Sequence, residues 1–534
     1  MTNKPGDCPP SVNPAIHVIV VAWGSVLATW LAWLLLSLPG FGAHRQMVGL
    51  AVVFASFVGF VMPGSCGRSV RVGAAAGFLA GLTNLLVLGS DLADPREGAP
   101  PLLMGALGYL LLSTLLGAIG VWVAGRVRAW RSVRVSGASL ARQQTFYLCV
   151  ALLVLLLLGG AVTSTRSGLA VPDWPKSFGV NMFLLPFSRM TDPNVFAEHS
   201  HRLFGAMVGV TALATFAVTL ISARLGRPVA MRWIGVVVAG GASIILLVLT
   251  ESIPALKPLK IPAEILAAIA SGGSVILAIV TKGPQGLVAW IASVTILIGL
   301  QGYLGGSRVV EQSQGLAIFH GVLAHLIFAI VVAQWFRLSD SSRALEGARL
   351  AEISRRVKTI CAALLHTTIL QVVLGAIYRH LKETSEKGAG HTLYMHMFVS
   401  LVVVVFAIIA GFMLMRESRK VPQASRAMRF TGMGLIASVS LQFILGWAAM
   451  VAVMMAPKRG APPTAEQLAS ATTGEQTKPV PPGEVAVTVS HHTNGAILLG
   501  LCSGAVVLAK RLKRASAAET DGPESREGDE SATV

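Results

Sequence analysis

Apolar runs of roughly 17–25 residues, the length an α-helix needs to cross the hydrocarbon core of a bilayer, recur from one end of the chain to the other. Fourteen spans are predicted, at about 16–38, 47–63, 70–90, 101–125, 145–165, 199–222, 233–250, 263–281, 285–303, 316–336, 359–378, 393–415, 430–455 and 490–509. Four polar residues interrupt these runs in a matching register. His201, His320, His396 and His491 each stand at the start of an apolar stretch, and each is followed four positions later by a small residue, Gly205, Ala324, Ser400 and Gly495. Residues four apart share a helix face, so each imidazole has space one turn further along. Two neutral imidazoles from facing helices are what a buried heme iron takes, and the small residue leaves room for the porphyrin plane. Four such helices are enough for two hemes.

Composition supports a polytopic membrane protein. Of 534 residues 54% are hydrophobic and 13% charged, and the mean hydropathy is +0.68, outside the range of soluble globular chains. The net charge of +18 is not read as nucleic-acid binding, because the basic residues gather in short connections. The groups are Arg126, Arg128, Arg131 and Arg134; Arg224, Arg227 and Arg232; Arg355, Arg356 and Lys358; Arg416, Arg419 and Lys420; and Lys510, Arg511, Lys513 and Arg514. Fourteen spans put all five groups on one side, which the positive-inside bias makes the cytoplasm, with both termini there and the histidines near the outer face. A bacterial plasma (inner) membrane is the expected location, with the lipid bilayer as the chain's first partner. Cys8, Cys66, Cys149, Cys361 and Cys502 show neither a CxxC nor a CxxCH spacing, so covalent heme attachment has no motif.

The chain divides into unequal parts. Residues 1–128 hold four spans with no readable chemistry. Residues 143–340 and 357–510 read as two copies of one unit, each a span, a histidine-led span and a second such pair. The string Leu300-Gln301-x-x-Leu304-Gly305 recurs as Leu370-Gln371-x-x-Leu374-Gly375 and Leu441-Gln442-x-x-Leu445-Gly446, with Leu157-Leu158-Gly159-Gly160 a weaker fourth. Small residues there permit close helix packing or close approach of a planar ligand. Residues 233–283 insert two further spans into the first copy, an even number that keeps all four histidine helices running from outside to inside. The expected fold is thus all-α, an eight-helix core of two pseudo-repeated four-helix bundles with extra N-terminal and inserted helices. A proline-rich outer segment at 457–488 reads as a flexible loop, and 515–534 as a disordered tail.

Histidine in a membrane interior is costly and marks function by default. Zinc is the rival metal, and it lacks Cys and Asp ligands nearby. Competing histidines are His391, whose fourth successor is Met395; His492, followed by Ala496, which leaves His491 against His492 open; and His199 and His325, on other faces than His201 and His320. Glu198 lies three residues before His201, on the same face, where the other three helices carry Ala317, Leu393 and Thr488. A carboxylate at a heme pocket can move protons or stabilise a cationic intermediate, and it can equally be a helix N-terminal charge favoured by the dipole. Arg202 follows as a candidate partner for a heme propionate.

The segment Thr163-Ser164-Thr165-Arg166-Ser167-Gly168-Leu169-Ala170-Val171-Pro172-Asp173-Trp174-Pro175, then Glu198-His199-Ser200-His201-Arg202, resembles the signature of heme A synthases, membrane enzymes that oxidise heme O to heme A. Gln301-Gly302-Tyr303-Leu304-Gly305-Gly306 and the later histidine spans follow in the same order, so the resemblance covers about 143–510. It implies an eight-helix bundle and conversion of the C8 methyl of heme O to a formyl group by successive hydroxylations, for cytochrome oxidase biogenesis. It implies His201 and His320 as ligands of the substrate heme, His396 and His491 as ligands of a resident heme b, and Glu198 as the catalytic carboxylate. It implies too that the Pro172–Pro175 loop covers the substrate pocket, that a heme O synthase and an unidentified electron donor are partners, and leaves a homo-oligomer open. Family members often carry an outer-loop cysteine pair; here Cys149 and Cys361 fall within spans. The alternative is a quinol-linked di-heme b electron carrier that leaves heme unmodified. Glu198→Ala is expected to leave the protein folded with resident heme b and to abolish heme A formation.

Overall fold

A computed structural model describes residues 13–39, 45–61, 69–94, 101–127, 136–341, 355–382, 386–420, 422, 424–455 and 480–511. The tail at 515–534, most of the 457–488 segment and the basic residues Arg128, Arg131, Arg134, Lys513 and Arg514 lie outside them. Fourteen α-helices are described: α1 (Pro14–Leu36), α2 (Arg45–Val61), α3 (Val70–Leu92), α4 (Leu102–Val127), α5 (Gly137–Thr165), α6 (Pro193–Ser222), α7 (Arg227–Ser252), α8 (Lys260–Val280), α9 (Pro284–Glu311), α10 (Gln314–Arg337), α11 (Arg355–Leu381), α12 (Glu386–Glu417), α13 (Ser425–Met455) and α14 (Pro482–Arg511). Thirteen are long and apolar enough to cross a membrane, and α2 is the short one. Each matches one predicted span.

Several helices begin earlier than the apolar pattern predicts, because their caps are polar and lie beyond it. Ser136 and Ser139 form a capping box that starts α5 at Gly137, and Asp192 caps α6 ahead of Pro193, both satisfying amides that no preceding turn can reach. Ser313 does the same for α10. The extensions place the ligand-type histidines inside their helices: all four fall within the first eleven residues of α6, α10, α12 and α14.

Helices α1–α4 dock behind α6. Trp23 of α1 donates from its indole nitrogen to Thr211 Oγ1 at 2.9 Å, Trp30 meets Phe204 edge-on with ring centres 5.1 Å apart, and Trp33 donates to Asp91 of α3 at 2.8 Å. Within this group α3 and α4 approach to backbone contact: a Cβ on Gly77 would run into the Ser113 carbonyl, and Ser113 Oγ donates to the Gly77 oxygen at 2.7 Å. Small residues drive such crossings in lipid, where apolar side chains gain nothing by leaving one another for acyl chains. Helices α7 and α8 pack against α9, burying Ile244, Leu247, Ala263 and Ala267 with Ile296 and Tyr303. On α13 large apolar side chains such as Phe430, Ile444, Met454 and Met455 face outward, the surface a bilayer solvates.

Candidate functional site

One contact recurs in four helical hairpins. The helix before each ligand-type histidine carries, near its C-terminal end, a glycine with the imidazole lying against it. An added Cβ on Gly159 (α5) would stand 3.1 Å from His201 Cε1, on Gly305 (α9) 2.9 Å from His320 Cε1, on Gly375 (α11) 3.0 Å from His396 Cε1, and on Gly446 (α13) 3.1 Å from His491 Cε1. In the first three Nδ1 is the next nearest atom and Nε2 the third, so each ring turns its Cε1 tip to the glycine with Nδ1 the closer of its two nitrogens. The repeated string noticed in the sequence is therefore a seat for an imidazole.

Its glutamine braces the same histidine. Gln301 Nε2 donates to the His320 carbonyl at 2.7 Å, and Gln371 Nε2 to the His396 carbonyl at 2.9 Å while standing 3.2 Å from His396 Nε2. Gln442 Nε2 lies 3.2 Å from His491 Nδ1, its own oxygen accepting from Asn494 Nδ2 at 2.8 Å. At the fourth hairpin the corresponding residue is Leu155.

The four rings line a single cavity of about 880 Å³, together with Gly205, Ala324, Ser400 and Gly495, the small residues one turn beyond each. Cβ space at Gly205 is open, whereas at Gly495 it faces the Gln442 amide at 3.3 Å. The ring centres of His396 and His491 are 6.4 Å apart at an interplanar angle of 70°. A metal held between two imidazole nitrogens at ~2.0–2.1 Å from each would put the ring centres roughly 6.3 Å apart, so the spacing of this pair would admit one. His201 and His320 are near enough to act on one another electrostatically. Nδ1 of His201, His320 and His396 has no well-aligned hydrogen bond among the described residues, the backbones of Leu155, Gln301 and Gln371 being the groups within reach of the three rings. No cluster of three or more His, Cys, Asp or Glu gathers among the described residues. Paired imidazoles suit a metal that arrives with most of its donors already in a macrocycle, and the donor set and spacing fit heme.

Glu198 and Arg202 lie one turn apart on α6 and form a buried ion pair at 2.7 Å. Glu198 also accepts from the Val171 amide at 3.0 Å, while Arg202 donates to the carbonyls of Asp173 at 2.6 Å, Lys176 at 3.3 Å and Val171. The pair therefore holds residues 171–176 against the cavity, which Trp174 and Pro175 line. Asp173 accepts from the amides of Phe178 and Gly179 at 2.7 and 2.8 Å, closing the turn between two short paired strands, Lys176–Ser177 and Val180–Asn181. Phe178 and Gly179 both have positive φ, where glycine is unstrained. Trp174 and Pro175 line the cavity. The Trp174 ring covers Gly306 so closely that any side chain there would collide, and meets Tyr303 edge-on at 6.2 Å.

Of the competing histidines, His391 gives Nδ1 to the Lys387 carbonyl at 2.8 Å on an exposed face, and His199 stands 3.3 Å from Ser177 Oγ; neither lines the cavity. His492 and His325 do line it, as an edge-on pair with ring centres 4.8 Å apart. His492 packs on Gly160, where a Cβ would stand 2.8 Å from its Cδ2. Gly159 and Gly160 thus seat one imidazole each, from α6 and α14. The expected role of Arg202 at a propionate meets a different arrangement, since its donors are directed at the loop and Glu198. Glu198 is likewise a structural anchor as well as a carboxylate, so its replacement by alanine would loosen the 171–176 loop. Cys149, Cys361 and Cys502 are buried free thiols. Sequence reasoning missed Arg308 and Arg379, which also line the cavity; their one usable signal is position, one turn beyond Gly305 and Gly375.

No protein-family model, curated protein or solved structure matches the chain. What the fold and the site define is a multi-helix membrane protein with paired histidines in an internal cavity.

Proposed function

We propose that this chain is a heme-oxidising membrane enzyme of the heme A synthase kind, converting the C8 methyl of heme O to a formyl group. The observation that carries the reading is the fourfold glycine-seated histidine, arranged as two pairs in one cavity with a carboxylate at only one of them. In this reading His201 and His320 hold the substrate heme and His396 and His491 a resident heme b, which supplies electron transfer when bound. The pseudo-repeat of four-helix halves gives each heme its own pair. Glu198, oriented by Arg202 and the Val171 amide, is placed to hold or move a proton beside the substrate site, and the Trp174 loop excludes water from it. Heme O would reach the cavity from the bilayer, delivered by a heme O synthase, with an electron partner completing the cycle. The proposed setting is a bacterial inner membrane, termini cytoplasmic and hemes near the outer face.

Co-expression with a heme O synthase, followed by mass spectrometry of extracted pigments, tests the reading. Heme A or its hydroxylated precursor is expected from the wild type, and only heme O from Glu198→Gln. Two bound hemes b with no modified pigment would replace the enzyme with a di-heme electron carrier.

A further inference from the structure

Of the residues that line the cavity, Trp174, Pro175 and Met182 stand on a loop, residues 166–192 between α5 and α6, whereas almost all the others stand on helices. A connection of this length stays in one place only where contacts along it outweigh the entropy of ordering it. Glu198 and Arg202 hold its first part. Two further groups of contacts come from helices that carry none of the paired histidines, α1–α4 on one side and the α7–α8 hairpin on the other.

On the first side residues 182–190 of the loop lie on α1 and α3. Trp33 of α1, fully buried, meets Phe187 edge-on with ring centres 6.3 Å apart and stacks on Phe196 of α6 at 6.2 Å. Asp94, just beyond α3, accepts from the Ser188 amide at 3.1 Å. At Gly89 of α3 the Phe183 backbone comes so close that an added Cβ would stand 2.5 Å from its carbonyl oxygen, and Leu185 and Met190 are buried in the same apolar cluster as Trp33 and Val87. On the second side the contact is the edge-on pair of Trp174 and Tyr303. The Tyr303 hydroxyl lies 3.3 Å from a Glu264 oxygen on α8 and 3.4 Å from a Glu251 oxygen on α7, and Lys260 ties Glu251 to Glu311 at 2.8 and 2.9 Å. The α7–α8 hairpin thus reaches the loop through one aromatic pair.

We infer that α1–α4 and the α7–α8 hairpin clamp this loop from two sides, with Trp33, Asp94 and Tyr303 as positioning residues that set how often residues 171–190 leave the cavity and so how fast its occupant exchanges. The two clamps act on one body. Glu198 and Arg202 fix residues 171–176, the paired strands carry that constraint to Asn181, and the turn that begins at Met182 brings the chain to Trp33, so loosening either side frees both. Local openings of this kind govern entry to a covered site. Because the closed form stays dominant, they raise entry and release together and leave affinity unchanged. The identity of the occupant rests on the heme reading above, and the clamp does not.

The test reads hydrogen–deuterium exchange by mass spectrometry on full-length, detergent-solubilised protein, together with the association and dissociation rates of iron protoporphyrin IX on protein purified from heme-limited cells. Asp94→Ala and Tyr303→Phe each remove a polar contact at one edge and leave the apolar packing in place. Each is expected to speed exchange about threefold to tenfold over the whole of 171–190, the scale of one lost hydrogen bond, with peptides from α10 unchanged, and to raise both binding rates by similar factors while the affinity holds. Trp33→Phe should act in the same way, and the other two variants decide the matter where it does not fold. Faster exchange confined to the substituted edge, or none anywhere in 171–190, overturns the inference, as do unchanged binding rates in a variant whose loop exchanges faster. A wild type that binds no iron protoporphyrin IX overturns the heme reading alone, and the exchange pattern still decides the clamp.

Discussion

A methyl group added at Gly305 distinguishes a histidine seated in its neighbouring helix from one that merely points into a cavity. The new carbon would lie 2.9 Å from His320 Cε1 and 3.4 Å from Nδ1, whereas relaxed carbon contacts sit at ~3.5–4.0 Å. The ring or its helix must retreat by roughly 0.6–1 Å to relieve this. Overpacking of that kind costs about 1–3 kcal/mol, offset by the about 0.5–1 kcal/mol that alanine gains over glycine within a helix. Gly305→Ala is therefore expected to lose about 0–2.5 kcal/mol net, read as a fall in the thermal midpoint of the detergent-solubilised protein, together with weaker heme binding at the proposed His201 and His320 site. Gly241→Ala, where nothing lies within 4 Å of the added carbon, is the control and should hold or raise the midpoint. If Gly305→Ala behaves like that control and keeps its heme, the imidazole does not occupy the glycine's cleft and the shared logic of all four hairpins fails.

Glu198→Ala should destabilise the protein by about 3–5 kcal/mol, because it strands Arg202 from its buried partner, and should speed proteolysis within 171–190; Glu198→Gln, which keeps the volume and an acceptor oxygen, should do less than half of this, and identical effects on urea midpoints would remove the anchor role. For the proposed resident site, His491→Ala should remove the low-spin bis-imidazole spectrum and His492→Ala should keep it, because the 6.4 Å ring spacing that would admit a metal belongs to His396 with His491, while His325 and His492 stand 4.8 Å apart; the reverse pattern would exchange the two assignments.

How much of this was legible in the sequence depends on which force wrote it. The spans were readable because lipid leaves a backbone no partner but its own helix, and fourteen apolar runs became fourteen helices. Helix starts were less so, since Ser136 and Asp192 act through caps outside the apolar pattern. The Gln-x-x-Leu-Gly string was visible, yet its partner was not: a glycine says that something comes close, and only the rotation of one helix against the next makes that something the imidazole. Gly159-Gly160 looked like the weakest copy and proves to be two seats, because His492 reaches across from α14. Arg308 and Arg379 were indistinguishable in sequence from the basic residues of any helix end, and acquire meaning from the cavity they share. Arg202 pointed toward a ligand in sequence but is spent on backbone carbonyls of a loop whose path no periodicity encodes.

The hairpin without a glutamine is the one that carries the carboxylate, and this coincidence has a physical consequence. At His320, His396 and His491 an amide side chain from the preceding helix locks the histidine by its carbonyl or its ring; at His201 the same position is Leu155, whose side chain lines the cavity and offers no such bond, leaving only its backbone within hydrogen-bonding reach of the ring. Of the four candidate ligands His201 is thus held least by side-chain hydrogen bonds, as the proposed reaction would require of a site whose occupant enters as one pigment and leaves as another. Grafting the missing amide with Leu155→Gln tests the idea. A donor reaching the His201 carbonyl, worth about 0.5–1.5 kcal/mol, should slow release at that pair by roughly threefold to tenfold. Tetrapyrrole retained after purification would rise and multiple-turnover yield would fall, while the His396 and His491 spectrum stays unchanged. If retention and yield in Leu155→Gln both match wild type, the freedom of His201 does not govern exchange, and the reason for its exceptional neighbour lies with Glu198 alone.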